Sequence, residues 1–515
     1  MIQHSEDYID INNIDRNINN LYSECKKILE HRAYLYKRFS RREYKTDNVQ
    51  VPLEYYISTI ACGYFGGKEP QYNVKRNNNT QQSILKKVFD KKYNETNNPD
   101  EYQAIIDYIT KYNDNSAFFY DCVKDYMNTG ACYGLIYENI DNEIVYSHVS
   151  SLNCVAIWNY DTPLSKIGLV RIWIETDLNN TRKTHIEIIT KNYKRHYIEF
   201  VPTNENSIKD EKTFIPLEQD SQIVLWNDLP VFAVENEDGL AIYENVLQLI
   251  DKFEQIIKNN ADTFKYNDEA KLQITGYMPQ NKALIEQKDK EGKIVLDKNG
   301  NPVMIKNPAR ELEDKQVLKA KVFYTPDGNG HIDWIIKDIN DTASENHKKT
   351  CLDLALMISG VPNVTDQGFT NADNSSALEK KFFPLDQVLQ QADKSFKKEL
   401  LRMWEMITDR INNEKNTNYD FRDIEIILSR NLPANNNEVI TNWLKLRGLI
   451  SDETIIDNLP FDLDSESEKA KLDEQNEENI KQNLKNMQML GQDKDNTSID
   501  DKENAKNKDS LIRKE

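Results

Sequence analysis

The sequence predicts an α+β fold, and three observations predict it. Between Asp238 and about Ile411, two apolar-striped helical segments bracket a β-rich insert, and a loop rich in Pro, Gly and Asn leads into a third, longer helix. From Cys132 to Phe200 the apolar pattern shifts instead toward a period of two, the mark of strands. A length of 515 residues also exceeds one ordinary domain, so roughly two to four structural regions are expected around at least one sizeable core.

In chain order, Asn12 to Arg42 has the spacing of a helix. It carries Arg32, Lys37, Arg38, Arg41 and Arg42 interleaved with Tyr34, Tyr36 and Phe39, and Tyr44 follows. Aromatics among cations suit single-stranded nucleic acid. In so acidic a chain, a solvated helix face that docks on a neighbouring subunit is the better reading. Gln81 to Ser116 holds Ile84, Val88, Ile105, Ile106 and Ile109, broken at Asn97-Asn98-Pro99, which predicts two helices with a loop. Phe118 to Met127 gives a further helix closed near Gly130. The strand candidates that follow are Tyr133–Tyr137, Glu143–His148, Val155–Asn159, Gly168–Glu175, His185–Thr190 and Arg195–Phe200. Together these make a mixed α/β region.

Val246, Ile250, Phe253, Ile257, Ala261 and Phe264 then fall at steps of three and four, one face of a helix. A second stripe, Ile339, Ala343, His347, Cys351, Leu354 and Ile358, repeats the geometry after the insert. Within the insert, Lys271–Gly276 and Val317–Thr325 read as strands. Gly292–Lys306 holds two short apolar runs around Asn299-Gly300, a dipeptide that favours the positive-φ turn of a tight hairpin.

Gly360 to Ser376 has no regular period. Asn374 or Ser375 is available to cap a long helix whose stripe is Leu378, Phe382, Leu385, Leu389, Ala392, Phe396, Leu400, Met403, Ile407 and Ile411. Pro384 interrupts it; proline lacks an amide donor and crowds the preceding turn, so a kink near Phe383 is expected rather than a stop. Beyond lie a strand at Arg422–Ser429, a short helix at Asn435–Arg447 ending at Gly448, and a capped helical turn at Ser451–Asp457. From Asp464 to Glu515 the chain is charged and Asn/Gln-rich. One helical stretch is expected near Ile480–Leu490, with too few apolar residues elsewhere to offset the entropy of ordering.

A hydrophobic content of 38% and a mean hydropathy of −0.74 suit long helices and extended arms better than a self-contained globule. No apolar run is long enough to span a bilayer, and the polar start around Ser5, Glu6 and Asp7 does not read as a signal peptide, so a cytoplasmic product is expected. Cys25, Cys62, Cys122, Cys132, Cys154 and Cys351 lack the spacing of a zinc site or a disulfide framework; buried or partly buried free thiols are expected. A net charge of −19 argues against a protein that grips DNA by neutralising phosphates. It is compatible with a conduit whose walls repel a polyanion, and equally with a surface that acidity keeps soluble.

Enzyme motifs are not visible. Cys62-Gly63-Tyr64-Phe65-Gly66-Gly67-Lys68-Glu69 approaches a phosphate loop but lacks its first glycine and the Ser/Thr after lysine. His185, His196, His331 and His347 have no partner at metal-ligand or triad spacing. Asp353 with Asp366 and Asp373 is better explained by chance among many carboxylates. Asp297–Asn301 has a calcium-loop flavour, but Pro308 stands where the twelfth-position glutamate belongs, so a hairpin turn is preferred.

The order of these segments resembles one family, the portal or head-to-tail connector proteins of tailed bacteriophages, of the siphophage type from Gram-positive hosts. Val51 to Tyr72 is similar to the family's early helix, ending here in Gly63-Tyr64-Phe65-Gly66-Gly67-Lys68-Glu69-Pro70-Gln71-Tyr72. Leu229-Pro230-Val231-Phe232 through Ile250-Asp251-Lys252-Phe253 resembles its approach to the stem, and Gly360-Val361-Pro362 to Ala377-Leu378-Glu379-Lys380-Lys381 its tunnel loop running into a helix.

The resemblance implies an α+β portal fold: a wing over 1–238, a first stem helix over 239–268 and a β-containing clip over 269–333. A second stem helix over 334–359 and a tunnel loop over 360–374 follow. Residues 375–463 hold the kinked long wing helix, the return strand and the start of the crown, and 464–515 the crown helix and an acidic tail. It further implies a homo-oligomeric ring, dodecameric in the family, at a capsid vertex of the virion, assembled in the host cytoplasm.

Double-stranded DNA is packaged, retained and ejected through such a ring. The implied partners are the large subunit of a separate terminase that hydrolyses ATP, major capsid and scaffolding proteins, and a head-tail adaptor. No cofactor, metal or membrane is implied. In this reading Val361, Asn363, Val364, Thr365, Asp366, Gln367, Phe369, Asn371, Asp373 and Asn374 face DNA, the apolar Val361, Val364 and Phe369 either contacting it or anchoring the loop in the core. Lys258, Lys265, Lys348 and Lys349 are candidate channel-wall cations, with an outer-surface position nearly as good. Pro384 marks the helix kink, and Asn299 and Gly300 the clip turn. The alternatives are a DNA-processing enzyme, such as a nuclease or terminase subunit, and another virion component such as an adaptor.

Overall fold

The computed structural model describes residues 2–40, 50–75, 99–161, 164–176, 180–200, 213–217, 222–223, 226–236, 238–268, 271–275, 281–319, 322–325, 331–335, 341–364, 375–432, 436–449, 455, 468–469, 471–476 and 479–481. Two compact units result. One comprises Met1–Asp366 with Lys381–Asn431, the other Gln367–Lys380 with Leu432–Glu515.

The first unit opens with strand β1 (Ile2–Gln3) and helix α1 (Ile14–Ser40). Ile14, Ile18, Leu21, Cys25, Leu35 and Phe39 recur at helical spacing and are buried. Two members of the basic cluster on this helix are engaged within the fold. Arg32 is buried, donating to the Cys154 carbonyl at 2.7 Å and the Tyr133 hydroxyl at 3.0 Å. Arg38 is paired with Glu54 and Asp251, each at 2.6 Å. Neither arginine is therefore left for nucleic acid or for a solvated face; Arg41, Arg42 and Tyr44 lie outside the described residues.

Helix α2 (Leu53–Gly66), strand β2 (Gln71–Val74) and helices α3 (Pro99–Tyr112) and α4 (Asn115–Thr129) follow. Only the second of the two helices expected within Gln81–Ser116 falls among the described residues. Asp114 caps α4 by accepting from the Ala117 amide at 3.2 Å. Gly130 ends it at φ +73°, where a Cβ would stand 2.7 Å from the Gly239 backbone, so only glycine fits.

The period-two stretch becomes β3 (Ala131–Glu138), β4 (Ile144–Val149), β5 (Cys154–Trp158), β6 (Lys166–Thr176), β7 (Arg182–Thr190) and β8 (Tyr193–Phe200). β9 (Thr213–Pro216), β10 (Gln222–Ile223) and β11 (Val231–Glu235) follow. One sheet runs β1-β5-β6-β7-β8-β10 with β9 on β8, and a smaller one runs β11-β3-β4. Alternation sorts the side chains: Val170, Ile172, Ile186 and Ile188 pack under α1, whereas Leu169 and Ile189 meet Tyr133 and Val231 of the smaller sheet.

Helix α5 (Leu247–Asp268) then leads into the insert. Strand β12 (Lys271–Thr275) is followed by β13 (Leu284–Glu286), β14 (Met304–Lys306), helix α6 (Pro308–Lys319), β15 (Val322–Thr325) and β16 (Ile332–Ile335). The three-stranded order is β15-β12-β16, and β13 pairs with β14. Val317–Thr325 was expected as one strand, but its start is helical. Asn307 caps α6 by accepting from the Ala309 amide at 3.0 Å, and Pro308 stands at the first helical position, where its missing amide costs nothing. Gly300 has φ +82° and Asp297 accepts from the Asn299 and Asn301 amides at 2.8 and 2.9 Å, so the turn at Asn299-Gly300 forms.

Helix α7 (Asp341–Ser359) begins later than expected because Ile335 belongs to β16. Its buried face is Cys351, Ala355, Leu356 and Ser359; Ala343, His347, Leu354 and Ile358 of the expected stripe are exposed, and Ile339 lies outside the described residues. Long helix α8 (Ser375–Lys415) runs through Pro384 without stopping, and Leu385, Leu389, Ala392, Phe396, Leu400, Met403, Ile407 and Ile411 are buried as the stripe predicts. Strand β17 (Ile424–Ile427) returns antiparallel to β2. In the second unit, α9 (Asn436–Lys445) precedes Gly448 at φ +90°. Ser451–Thr454 and most of the stretch from Asp464 to Glu515 lie outside the described residues.

Candidate channel-facing segment

Helix α2 acts as a strut to which the paired helices and the following loop are tied. Near its start, fully buried Glu54 holds Arg38, which also reaches Asp251 on α5. The Val51 amide donates to Glu254 at 2.9 Å. Phe253 and Ile256 of α5 pack with Cys351 of α7, and Val51 and Leu53 lie against them. Higher on the pair, the Ser344 hydroxyl donates to Asn260 at 2.7 Å. At the other end of α2, Tyr64 stacks on Phe382 with centroids 5.0 Å apart.

Gly360 closes α7 at φ +72°. A Cβ there would lie 3.0 Å from the Pro384 carbonyl oxygen and 3.1 Å from the Leu385 nitrogen, so the chain turns directly against α8. Val361 follows and is only 2% exposed. That burial fits the anchoring role and not contact with DNA, so the DNA-facing assignment of Val361 is set aside in favour of the anchor. Pro362, Asn363 and Val364 are half-buried. The Tyr56 hydroxyl donates to the Pro362 carbonyl at 2.8 Å and accepts from the Val364 amide at 3.0 Å. No sequence signal singled out Tyr56, whose partners lie about three hundred positions away. Thr365, Asp366, Gln367, Phe369, Asn371, Asp373 and Asn374 lie outside the described residues.

Of the four candidate cations, Lys265 and Lys349 are exposed and Lys258 and Lys348 half-buried. Lys348 pairs with Glu345 one turn away at 2.6 Å, which cancels much of its field. Asn299 and Gly300 sit at a turn of the insert, remote in sequence from this segment.

The stretch nearest a phosphate loop is helical from Cys62 to Gly66, so its amides are not turned toward an anion. Among the described residues no three His, Cys, Asp or Glu side chains gather to hold a metal, and no helix is long and apolar enough to cross a membrane. His185 and His196 contact each other at 2.9 Å and both stack on Trp173. His185 also reaches Glu175 at 3.0 Å; burial first, then the neighbouring His196, holds its pKa below the usual value.

All six cysteines are buried, and burial pushes the Cys62 and Cys154 thiols up to about 12. Thiolate is therefore scarce. At pH 8 the native chain is expected to take up no maleimide over a period in which the urea-unfolded chain labels at all six positions. Rapid native labelling, read by mass spectrometry, would contradict the burial.

Comparison with known proteins adds the remaining finding. No curated protein matches the chain. In structure it is similar to a protein described as "Neck of empty GTA particle computed with C6 symmetry", at 11% identity over 82% of this chain and 91% of that one, with a TM-score of 0.32, a likeness too slight to bear on function. Residues 2–482 match the family described as "Phage portal protein, SPP1 Gp6-like". Nearly the whole chain is covered, including the paired helices, the insert and the long helix. The chain therefore belongs to the SPP1 Gp6-like family of phage portal proteins, structural connectors between head and tail.

Proposed function

We propose that copies of this chain close into a ring at one vertex of a phage head, dodecameric as in the resemblance above, and that double-stranded DNA passes through its centre during packaging, retention and ejection. The family match over residues 2–482 carries this reading. In it, residues 1–238 form the wing, α5 and α7 the stem and the insert over 269–333 the clip. Residues 360–374 form the loop nearest the DNA, with Asn363 and Val364 at its root, and the crown follows the long helix. The terminase large subunit and a head-tail adaptor would meet the clip in turn; capsid and scaffolding proteins would surround the wing.

One feature of the paired helices supports the ring. On the paired helices, Phe264 is 56% exposed and Met357 68%, with Leu354 and Ile358 exposed beside Met357. Apolar side chains left outside a packed helix pair suit contact with another copy. Lateral contacts of this heterologous kind close only when the rotation per subunit divides the circle, so they must be large and specific.

Negative-stain electron microscopy with light-scattering mass on the same sample tests the reading. Closed rings with a central hole are expected from the native chain, and Met357→Glu is expected to shift the mass toward monomer while circular dichroism stays unchanged. A monomer or dimer for the native chain under all conditions would refute the ring.

A further inference from the structure

We infer that Tyr56 is the positioning residue for the segment that enters the channel: its hydroxyl sets where and at what angle the chain leaves the fold after α7. The inference deepens the proposed function and rests on it for the role of that segment. Its geometry stands independently.

The case begins with what the local sequence cannot satisfy by itself. Pro362 has no amide to donate, and it biases the preceding Val361 toward extended backbone, so α7 cannot continue. The Pro362 carbonyl and the Val364 amide then belong to a segment assigned to neither a helix nor a strand. Backbone groups in a half-buried position need partners. One phenol supplies both, accepting the Val364 amide at 3.0 Å while donating to the Pro362 carbonyl at 2.8 Å.

A hydroxyl that donates and accepts at once has little freedom of direction, so it holds residues 362–364 from two points. Its own position is fixed as well. Tyr56 lies on α2 two residues from buried Glu54, which pairs with Arg38 of α1; Arg38 also pairs with Asp251 of α5, so the helix is tied to both. On the other side, Gly360 lies directly against α8, and Val361 after it is buried. The root is thus clamped between α2 and α8, and Tyr56 is the polar half of the clamp.

Tyr56→Phe removes both hydrogen bonds and keeps the ring's packing, so the fold should survive. Tyr55→Phe, which removes a hydroxyl from a 52% exposed neighbour, serves as control. Hydrogen exchange read by mass spectrometry on the purified full chain is expected to show the Val364 amide exchanging about ten-fold faster in Tyr56→Phe. Peptides from α2 and α7 should be unchanged, as should Tyr55→Phe throughout. Unchanged exchange at Val364, or faster exchange spread through α2 and α7, overturns the inference.

A second arm measures nuclease-protected DNA in heads assembled with each variant ring. Loss of protected DNA with Tyr56→Phe rings of normal size supports the positioning role, and normal packaging despite faster exchange overturns it. If the native chain forms no rings, the channel reading fails, whereas the exchange arm still decides whether Tyr56 holds the root.

Discussion

Glu399→Ala is expected to lower the stability of the first unit by about 3–5 kcal/mol, the effect of leaving a buried charge without its partner. Glu399 lies on α8 and is 6% exposed; it pairs with Lys166 of β6, with Arg402 one turn on at 3.0 Å, and accepts from the Ala233 amide at 3.0 Å. Lys166 also donates to the Ala233 carbonyl at 2.7 Å. Burial pulls the Lys166 ammonium below its usual pKa against the attraction of Glu399, so removing the carboxylate tips the balance further toward the neutral amine. Arg402 keeps Asp228 at 2.8 Å and suffers less.

The partner's removal should rescue part of the loss. Lys166→Met with Glu399→Leu fills similar volume without charge and is expected to recover most of the stability. Urea unfolding followed by tryptophan fluorescence reads both variants against the native chain. A cost below about 1 kcal/mol for Glu399→Ala would mean that the pair behaves as a hydrated surface bridge and that the α8–β6 contact is open to water.

Gly360→Val is expected to cost about 2–5 kcal/mol, from the left-handed backbone and the crowding together. At φ +72° a branched side chain is strained, and its Cβ would meet the Pro384 carbonyl and Val388 at 3.0 Å. The Pro384 carbonyl and the Leu385 nitrogen at 3.1 Å are backbone of a continuous helix and cannot retreat cheaply, whereas the exposed Val388 side chain can. Gly300→Ala separates the two causes. Gly300 has φ +82° with open space around it, so only backbone strain of about 1–2 kcal/mol applies, confined to the insert turn. Thermal unfolding that drops equally for both variants would show that α8 does not press on Gly360.

Helix content was legible wherever an apolar stripe had a single wide partner. The α8 stripe reads correctly from Phe382 to Ile411 because that face is buried along most of its length. The α7 stripe fails for the opposite reason. In one copy the helix has α5 on one side only, so Cys351, Ala355 and Leu356 go inward while Leu354 and Ile358 stay exposed, and periodicity alone cannot say which edge of a broad stripe is covered. Strand β16 was missed because its start of α7 lacked a local stop signal, whereas its pairing with β12 is made across more than fifty residues. Pro308 shows the reverse: a local signal, proline after a capping asparagine, that read as nothing until the helix was seen.

By itself, the sequence determined the class of the fold, the order of helix, insert, helix and long helix, the turn at Asn299-Gly300 and the family to which that order belongs. Periodicity, glycine and proline are properties of neighbours in the chain, and they act before any tertiary contact forms. Only the tertiary structure decided which charges are spent inside. Arg32 and Arg38 read in the sequence as part of a solvated, docking helix face and prove to be core and strut contacts, Lys166 and Glu399 prove to be a buried pair, and Tyr56 proves to hold Pro362 and Val364. Each choice depends on two groups far apart in sequence coming within hydrogen-bond distance in a place water does not reach, and among so many acids, bases and tyrosines no local pattern says which will meet.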